Sequence, residues 1–207
     1  GDLNAQLEDT AAGAQGSLWA QADAVFHLAA AVSGECEADF TRKGFVRGRS
    51  VRLMTVSVRP GQPNGAASGF FSGMIREPLA GLRAPCPVPD DTPVALASPA
   101  RTIEGILRAA EASDAQWGAR TAMNLPSLAT TVGDMAAALG RVAGPEAVAL
   151  LDRTPDPAVQ RIVKTWPGRI DAARARALGL QPDADFDSVI RDYVRENPDA
   201  VKLPLRA

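Results

Sequence analysis

The chain is short of the side chains that carry most enzyme chemistry. Its 207 residues include one histidine, one tyrosine and two cysteines. Cys36 and Cys86 lie far apart and show no metal-ligand spacing, and His27 alone cannot complete a zinc site with them. No metal is therefore expected. The two cysteines read as free thiols in a reducing cytoplasm, with a single disulfide as the alternative. No apolar run approaches the ~20 residues that a membrane helix needs, so no membrane partner is expected. A basic surplus is missing as well: 22 Lys and Arg stand against 24 acidic residues, which disfavours binding nucleic acid through bulk charge. The first residues, Gly1-Asp2-Leu3-Asn4, have no secretory character.

What is present is ordinary for a globular chain, with 46% hydrophobic and 22% charged residues. Ala24-Val25-Phe26-His27-Leu28-Ala29-Ala30 is a short apolar run ending in small residues, the pattern of a buried parallel strand. Ser50–Val58 (SVRLMTVSV) reads as a second, continuous buried strand, stopped by Arg59-Pro60-Gly61. Pro85, Pro87, Pro89 and Pro93 predict an extended excursion outside the main sheet, placed to close over a ligand. A short helix is expected over Phe70–Glu77. Ser98-Pro99 opens another, with Ile103, Ile106, Leu107 and Ala110 on its apolar face. Ala119–Leu125 reads as a strand. Further helices start at Thr131 (with Asp134 three residues on), Asp156, Asp171 and Asp185, each an N-cap residue before an apolar-periodic stretch. Asp183, Asp185 and Asp187 flank such a start and read as capping charges, without the glycine and terminal glutamate of a calcium loop.

Few polar residues stand where chemistry is expected. His27 lies inside an apolar strand and reads as a hydrogen-bonded structural residue rather than a general base. Thr55 and Arg59 fall near the C-terminal end of a predicted strand, the end at which open α/β sheets bind ligands. A hydroxyl and a guanidinium there suit a hydroxy acid, the arginine pairing with its carboxylate. Ser68, Ser72 and Arg76 are similar candidates nearby. Arg59 reads equally as a surface loop residue, and Arg76 followed by Glu77 as a solvated ion pair.

His27-Leu28-Ala29-Ala30, in its strand setting, resembles the fourth-strand motif of the extended short-chain dehydrogenases/reductases, within the NAD-dependent epimerase/dehydratase superfamily. Arg169-Ile170-Asp171, Arg174-Ala175, Leu178-Gly179 and Pro182, followed by Phe186, Ile190 and Tyr193, are similar to that family's closing segment. Gly44 through Asn64, Ser72 through Leu79, and Pro155 through Gly168 resemble its D-erythronate dehydrogenase branch. The resemblance implies an α/β fold: a Rossmann-like doubly wound parallel sheet, incomplete over these residues, with a smaller and mostly helical C-terminal substrate lobe. Residues 1–60 would be the remnant of the NAD-binding domain. Residues 61–207 would be mainly substrate lobe, with segments returning to the first domain. It implies NAD as cofactor, with NADP open, and oxidation of a small sugar acid such as D-erythronate at carbon 2. Asp2 and Leu3 would lie on the adenine side, Leu28, Ala29 and Ala30 would form a small-residue wall, and Leu53 and Met54 would lie beside the nicotinamide. Thr55, Arg59, Ser68 and Arg76 would meet the substrate. Family members commonly pair, so a homodimer is expected for the complete protein.

Three family elements have no counterpart in the sequence. The glycine-rich phosphate loop should precede Gly1, and the catalytic serine and Tyr-x-x-x-Lys helix should fall between Phe40 and Thr41. The one tyrosine, Tyr193, is followed four places on by Asn197. No catalytic residue of the family is thus present. Two readings follow. In the first, these residues are part of a longer dehydrogenase. In the second, the chain is a catalytically inactive deletion product that acts as a small-molecule binding or interaction protein. A sheet stripped of several strands would expose apolar edges, which favours the first. The intact mass of the purified protein is therefore expected to exceed 21.6 kDa by mass spectrometry, and a mass equal to it would establish the deletion.

Overall fold

The computed structural model describes residues 41–44, 47–62, 66–118 and 121–206. The Ala24–Ala30 strand, His27, Cys36 and the expected contacts at Asp2, Leu3, Leu28, Ala29 and Ala30 lie outside the described residues. In chain order the strands are β1 (Val51–Arg52), β2 (Thr55–Val56), β3 (Ala84–Pro85), β4 (Pro93–Ala97), β5 (Met123–Asn124), β6 (Leu128–Thr131) and β7 (Leu151–Asp152). The helices are α1 (Gly69–Leu79), α2 (Pro99–Glu111), α3 (Asp114–Trp117), α4 (Val132–Val148), α5 (Pro157–Val163), α6 (Ala173–Ala177) and α7 (Phe186–Glu196). A short 3-10 turn follows at Pro198–Ala200. The chain divides into two compact units, one of Gly1–Arg52 with Ile106–Met123, the other of Leu53–Gly105 with Asn124–Ala207.

The described part of the first unit is organised by Arg49. Its side chain is 8% exposed and pairs with Asp114. It also donates to the carbonyls of Gly48 at 2.9 Å and Ala112 at 3.3 Å. The guanidinium carbon lies 5.3 Å from the Trp117 ring centroid, a cation–π contact. Ser113 and Gln116 form a reciprocal capping box at the start of α3, and Gly118 closes that helix with φ 72°. Met123 N–H donates to the Ser50 carbonyl at 2.9 Å.

In the second unit a three-stranded sheet has the order β2-β4-β6. Strand β4 lies parallel to β2, with Thr55 opposite Leu96, and antiparallel to β6, with Ala95 opposite Ala129. Strands β3 and β7 pair in parallel, Ala84 opposite Leu151. Cys86 extends that pair: its N–H donates to the Asp152 carbonyl at 2.7 Å, and the residue is 1% exposed. Helix α1 packs against β3 and α4, and α4 packs against α7. The core is built from Phe71, Met74, Ile75 and Leu79 of α1, Leu96 of β4, Met135 and Leu139 of α4, and Ile190 of α7, all of them fully buried.

The helix starts obey the sequence chemistry. Thr131 accepts from Asp134 N–H, Asp156 from Ala158 and Val159 N–H, and Asp185 from Ser188 N–H. Gly144 leaves helical geometry at φ 85°, so the α4 stretch breaks where Gly-Pro predicts a stop. Other expectations need correction. The Ser50–Val58 run is not one strand: it breaks at Leu53-Met54 between β1 and β2, and Leu53 is 42% exposed. The proline-rich stretch is not all outside the sheet, because Pro93 starts the central strand. Proline is tolerated at a strand's first residue, where its missing N–H breaks no interior ladder bond. The apolar face predicted for α2 is also wrong. Ile103 and Leu107 are exposed, while Thr102, Gly105 and Ala109 are buried.

Two features generate tests. A methyl group built on Gly168 would lie 2.5 Å from Pro93 Cβ, and a proline ring has little freedom to move aside. Gly168→Ala is expected to destabilise the protein by about 1–3 kcal/mol in urea denaturation. Separately, Arg141 of α4 holds Asp187 of α7 with two hydrogen bonds, at 2.5 and 2.8 Å. These bonds hold the Asp187 carboxyl below its ordinary range. Its contribution is therefore present above the unfolded carboxyl pKa of about 3.9 and is lost as pH falls through the lowered folded value. Asp187→Asn is expected to lower stability slightly near neutrality, by less than about 1 kcal/mol for so exposed a pair. The gap should close in acid when denaturation is followed across a pH series.

Candidate active site

The candidate site lies within the second unit, where the chain leaves β2 and where α1 runs past it. The β2 ladder continues one residue beyond the strand, Ser57 N–H donating to the Ala97 carbonyl at 3.0 Å. The chain then bends at Arg59-Pro60-Gly61. Gly61 has φ 103° and nothing within 4 Å of an added Cβ, so backbone conformation rather than space asks for glycine there. Ser68 precedes α1 without capping it by its side chain.

Ser72 and Arg76 tie α1 to the β2 exit. Ser57 Oγ donates to the Phe71 carbonyl at 3.0 Å. Ser72 Oγ accepts from Arg59 N–H at 3.1 Å and contacts the Val56 carbonyl at 3.4 Å. Arg76 donates from one terminal nitrogen to the Arg59 carbonyl at 2.9 Å and from the other to Glu77 Oε1 at 2.6 Å. The backbone of Arg59 is thereby gripped at its N–H by Ser72 and at its carbonyl by Arg76.

The Arg76–Glu77 pair is not solvated, since each side chain is only 12% exposed. Its charges also reach Tyr193 of α7. Burial pushes that phenol above its ordinary value; Arg76 opposes the rise and Glu77 adds to it. Tyr193 is thus held neutral.

Of the residues singled out in the sequence, the structure gathers Thr55, Arg59, Ser68, Ser72 and Arg76 at the β2 exit and along α1. Thr55, Arg59 and Ser68 are half-buried. Arg59 makes no ion pair among the described residues, and its Nε is buried without a hydrogen-bond partner. Ser72 is 1% exposed and its hydroxyl is already committed on both sides. Ser57 was not singled out, and Glu77 was read only as a solvated partner of Arg76. Both belong to the same network, and the visible signal for Ser57 is a small hydroxyl inside an apolar strand run. Leu53 and Met54 stand at the strand break, Leu53 with an exposed apolar side chain. Among the described residues, no group of three potential metal ligands occurs, and no helix is long and apolar enough to cross a membrane.

No protein-family model matches the chain. Curated relatives do. The chain is 47% identical over 158 residues to D-erythronate dehydrogenase of Cupriavidus necator, covering 76% of this chain and 49% of that protein. It is 38% identical over 156 residues to D-erythronate dehydrogenase of Haemophilus influenzae, covering 75% and 50%. Among solved structures, the nucleoside-diphosphate-sugar epimerase of Agrobacterium tumefaciens superposes with a TM-score of 0.76 at 36% identity, over 81% of this chain and 49% of that one. L-threonine 3-dehydrogenase of Trypanosoma brucei superposes with a TM-score of 0.71 at 22% identity, over 83% and 53%, a likeness of fold. The protein is α/β with the fold of the extended short-chain dehydrogenases/reductases. Over its aligned residues it is a homologue of the D-erythronate dehydrogenases. The chain spans about half the length of the curated relatives it matches.

Proposed function

We propose that this chain forms the substrate-binding part of an NAD-dependent oxidoreductase that oxidises a small hydroxy acid, such as D-erythronate, at carbon 2. The observation that carries the proposal is Arg59, a half-buried arginine at a strand's C-terminal end whose Nε has no partner. A planar guanidinium in that state is matched by a carboxylate, which takes two parallel hydrogen bonds. Thr55 and Ser68, half-buried and with side-chain hydroxyls that bond no other described residue, supply hydroxyls for the sugar-acid hydroxyl groups. Arg76 stands behind Arg59, its guanidinium bonded to the Arg59 carbonyl and to Glu77. The relatives named as D-erythronate dehydrogenases support this reading over that of an inactive binding protein.

On the cofactor side, Leu53 and Met54 fit a nicotinamide face, and Asp2, Leu3, Leu28, Ala29 and Ala30 belong to the same proposal. NAD supplies a hydride acceptor when bound; NADP is the alternative. Residues 1–60 are then the remnant of the NAD-binding domain, with Thr55 and Arg59 at its strand end meeting the substrate, and residues 61–207 are mainly substrate lobe, with segments returning to the first domain. The proton step needs a tyrosine–lysine pair that this sequence does not contain, and Tyr193, held neutral by its surroundings, is no substitute. The proposal includes a cytoplasmic location, a homodimer for the complete enzyme, and no nucleic-acid, membrane or metal partner.

Calorimetric titration with D-erythronate in the presence of NAD tests the substrate assignment. Arg59→Met is expected to weaken binding roughly 10- to 100-fold, matching about 1.5–3 kcal/mol for a hydrogen bond to a charged group. Equal binding by the variant and the parent would remove Arg59 from the site. NADH formation from D-erythronate by the catalytically complete protein tests the activity.

A further inference from the structure

We infer that Arg76, backed by Glu77, is a positioning residue that sets the aim of Arg59, rather than a second arginine on the substrate. The inference rests on the reading of Arg59 as the carboxylate-binding residue. Three observations lead to it. First, the Arg76 guanidinium is occupied: one terminal nitrogen bonds the Arg59 carbonyl and the other bonds Glu77. Second, Arg76 is only 12% exposed, against a half-buried Arg59 whose Nε has no hydrogen-bond partner. Third, Ser72 holds the other polar group of the same peptide unit region, accepting from Arg59 N–H.

A residue whose N–H and carbonyl are both fixed has its Cα–Cβ direction fixed as well. Without that grip, Arg59 lies between a strand end and a Pro-Gly bend, where no other hydrogen bond among the described residues holds its backbone. A long flexible side chain binds a carboxylate best when its base does not move, because less freedom is lost on binding. Glu77 adds the next layer. It neutralises Arg76 and points the guanidinium back toward Arg59, and its carboxylate folds along α1 over Gly73, whose added Cβ would lie 3.3 Å from Glu77 Oε2. Glycine at that position leaves room for the carboxylate to lie there. The chain of command is then Glu77 to Arg76 to the Arg59 backbone, and of these three only the Arg59 side chain meets the ligand.

A double-mutant cycle in D-erythronate affinity, with NAD present, tests the inference. The proteins are the parent, Arg59→Met, Arg76→Met and the double variant, with thermal unfolding measured for each. Arg59→Met is expected to weaken binding roughly 10- to 100-fold. Arg76→Met is expected to weaken it about 5- to 10-fold in the parent and not at all when Arg59 is already Met. Glu77→Gln keeps the side-chain volume and is expected to give a smaller loss with the same dependence on Arg59; it carries the test if Arg76→Met does not fold. Equal losses with and without Arg59 would overturn the inference, because they would mean that Arg76 touches the ligand itself or merely supports the fold. No loss from Arg76→Met or Glu77→Gln would overturn it too. No loss from Arg59→Met would instead sink the underlying assignment of Arg59.

Discussion

Helix α1 is buried around most of its circumference. Phe70, Phe71, Ser72, Gly73, Met74, Ile75, Pro78 and Leu79 are all inside. A helix in that position leaves its few polar side chains no water to turn to, and an unpaired buried polar group costs about 1–3 kcal/mol. Ser72, Arg76 and Glu77 must therefore find partners in the protein. The acceptors and donors within reach are the backbone groups of the chain leaving β2. The need to satisfy α1 is what ties the helix to residues 56–59 and so shapes the candidate site.

That constraint also explains why the site residues divide into two kinds. Those on α1 are largely consumed by the architecture: Ser72 and Arg76 are met by Val56, Arg59 and Glu77, while Glu77 Oε2 alone stays buried without a partner. At the β2 exit, Thr55 and Arg59 keep side-chain capacity in reserve, while Ser57 is bonded to the Phe71 carbonyl. The same separation runs through α/β folds generally, where a rigid layer fixes backbone and the strand ends present side chains to a ligand. Here the layer can be named atom by atom. The likeness to an epimerase and to threonine dehydrogenase is one of fold, and fold alone does not choose among their substrates. In the proposed function, the unpartnered Nε of Arg59 is the feature that argues for an acid.

Much of the helical half was legible because helix ends are local. An aspartate or threonine followed by a free N–H two or three residues on leaves little choice, and Thr131, Asp156 and Asp185 do what their type requires. The sheet was harder. Pro93 looks like a breaker until its place at the first residue of β4 is known, and the apolar run at Ser50–Val58 hides a break because Leu53 and Met54 are as hydrophobic as their neighbours. The buried face of α2 eluded a count of large apolar residues for a steric reason. Gly105 lies so near Leu125 that an added Cβ would sit 2.5 Å from it, so that face is buried by closeness rather than by size. In the site, the position of Arg59 at a strand end was readable. The grip on its backbone was not, because it depends on a contact between residues 13 and 17 places apart.

The burial of Cys86 has a use as well as a structural role. Its thiol sits at the end of the parallel β3–β7 pair, and removal from water raises its pKa above the ordinary value despite the nearby charge of Arg153. A thiol reagent attacks the thiolate, so the side chain is silent for as long as the two strands stay together. Its modification rate, separated from that of Cys36 by peptide mapping, becomes a clock for the opening of that strand pair. A native cysteine thus provides a built-in gauge of local unfolding without any engineered probe.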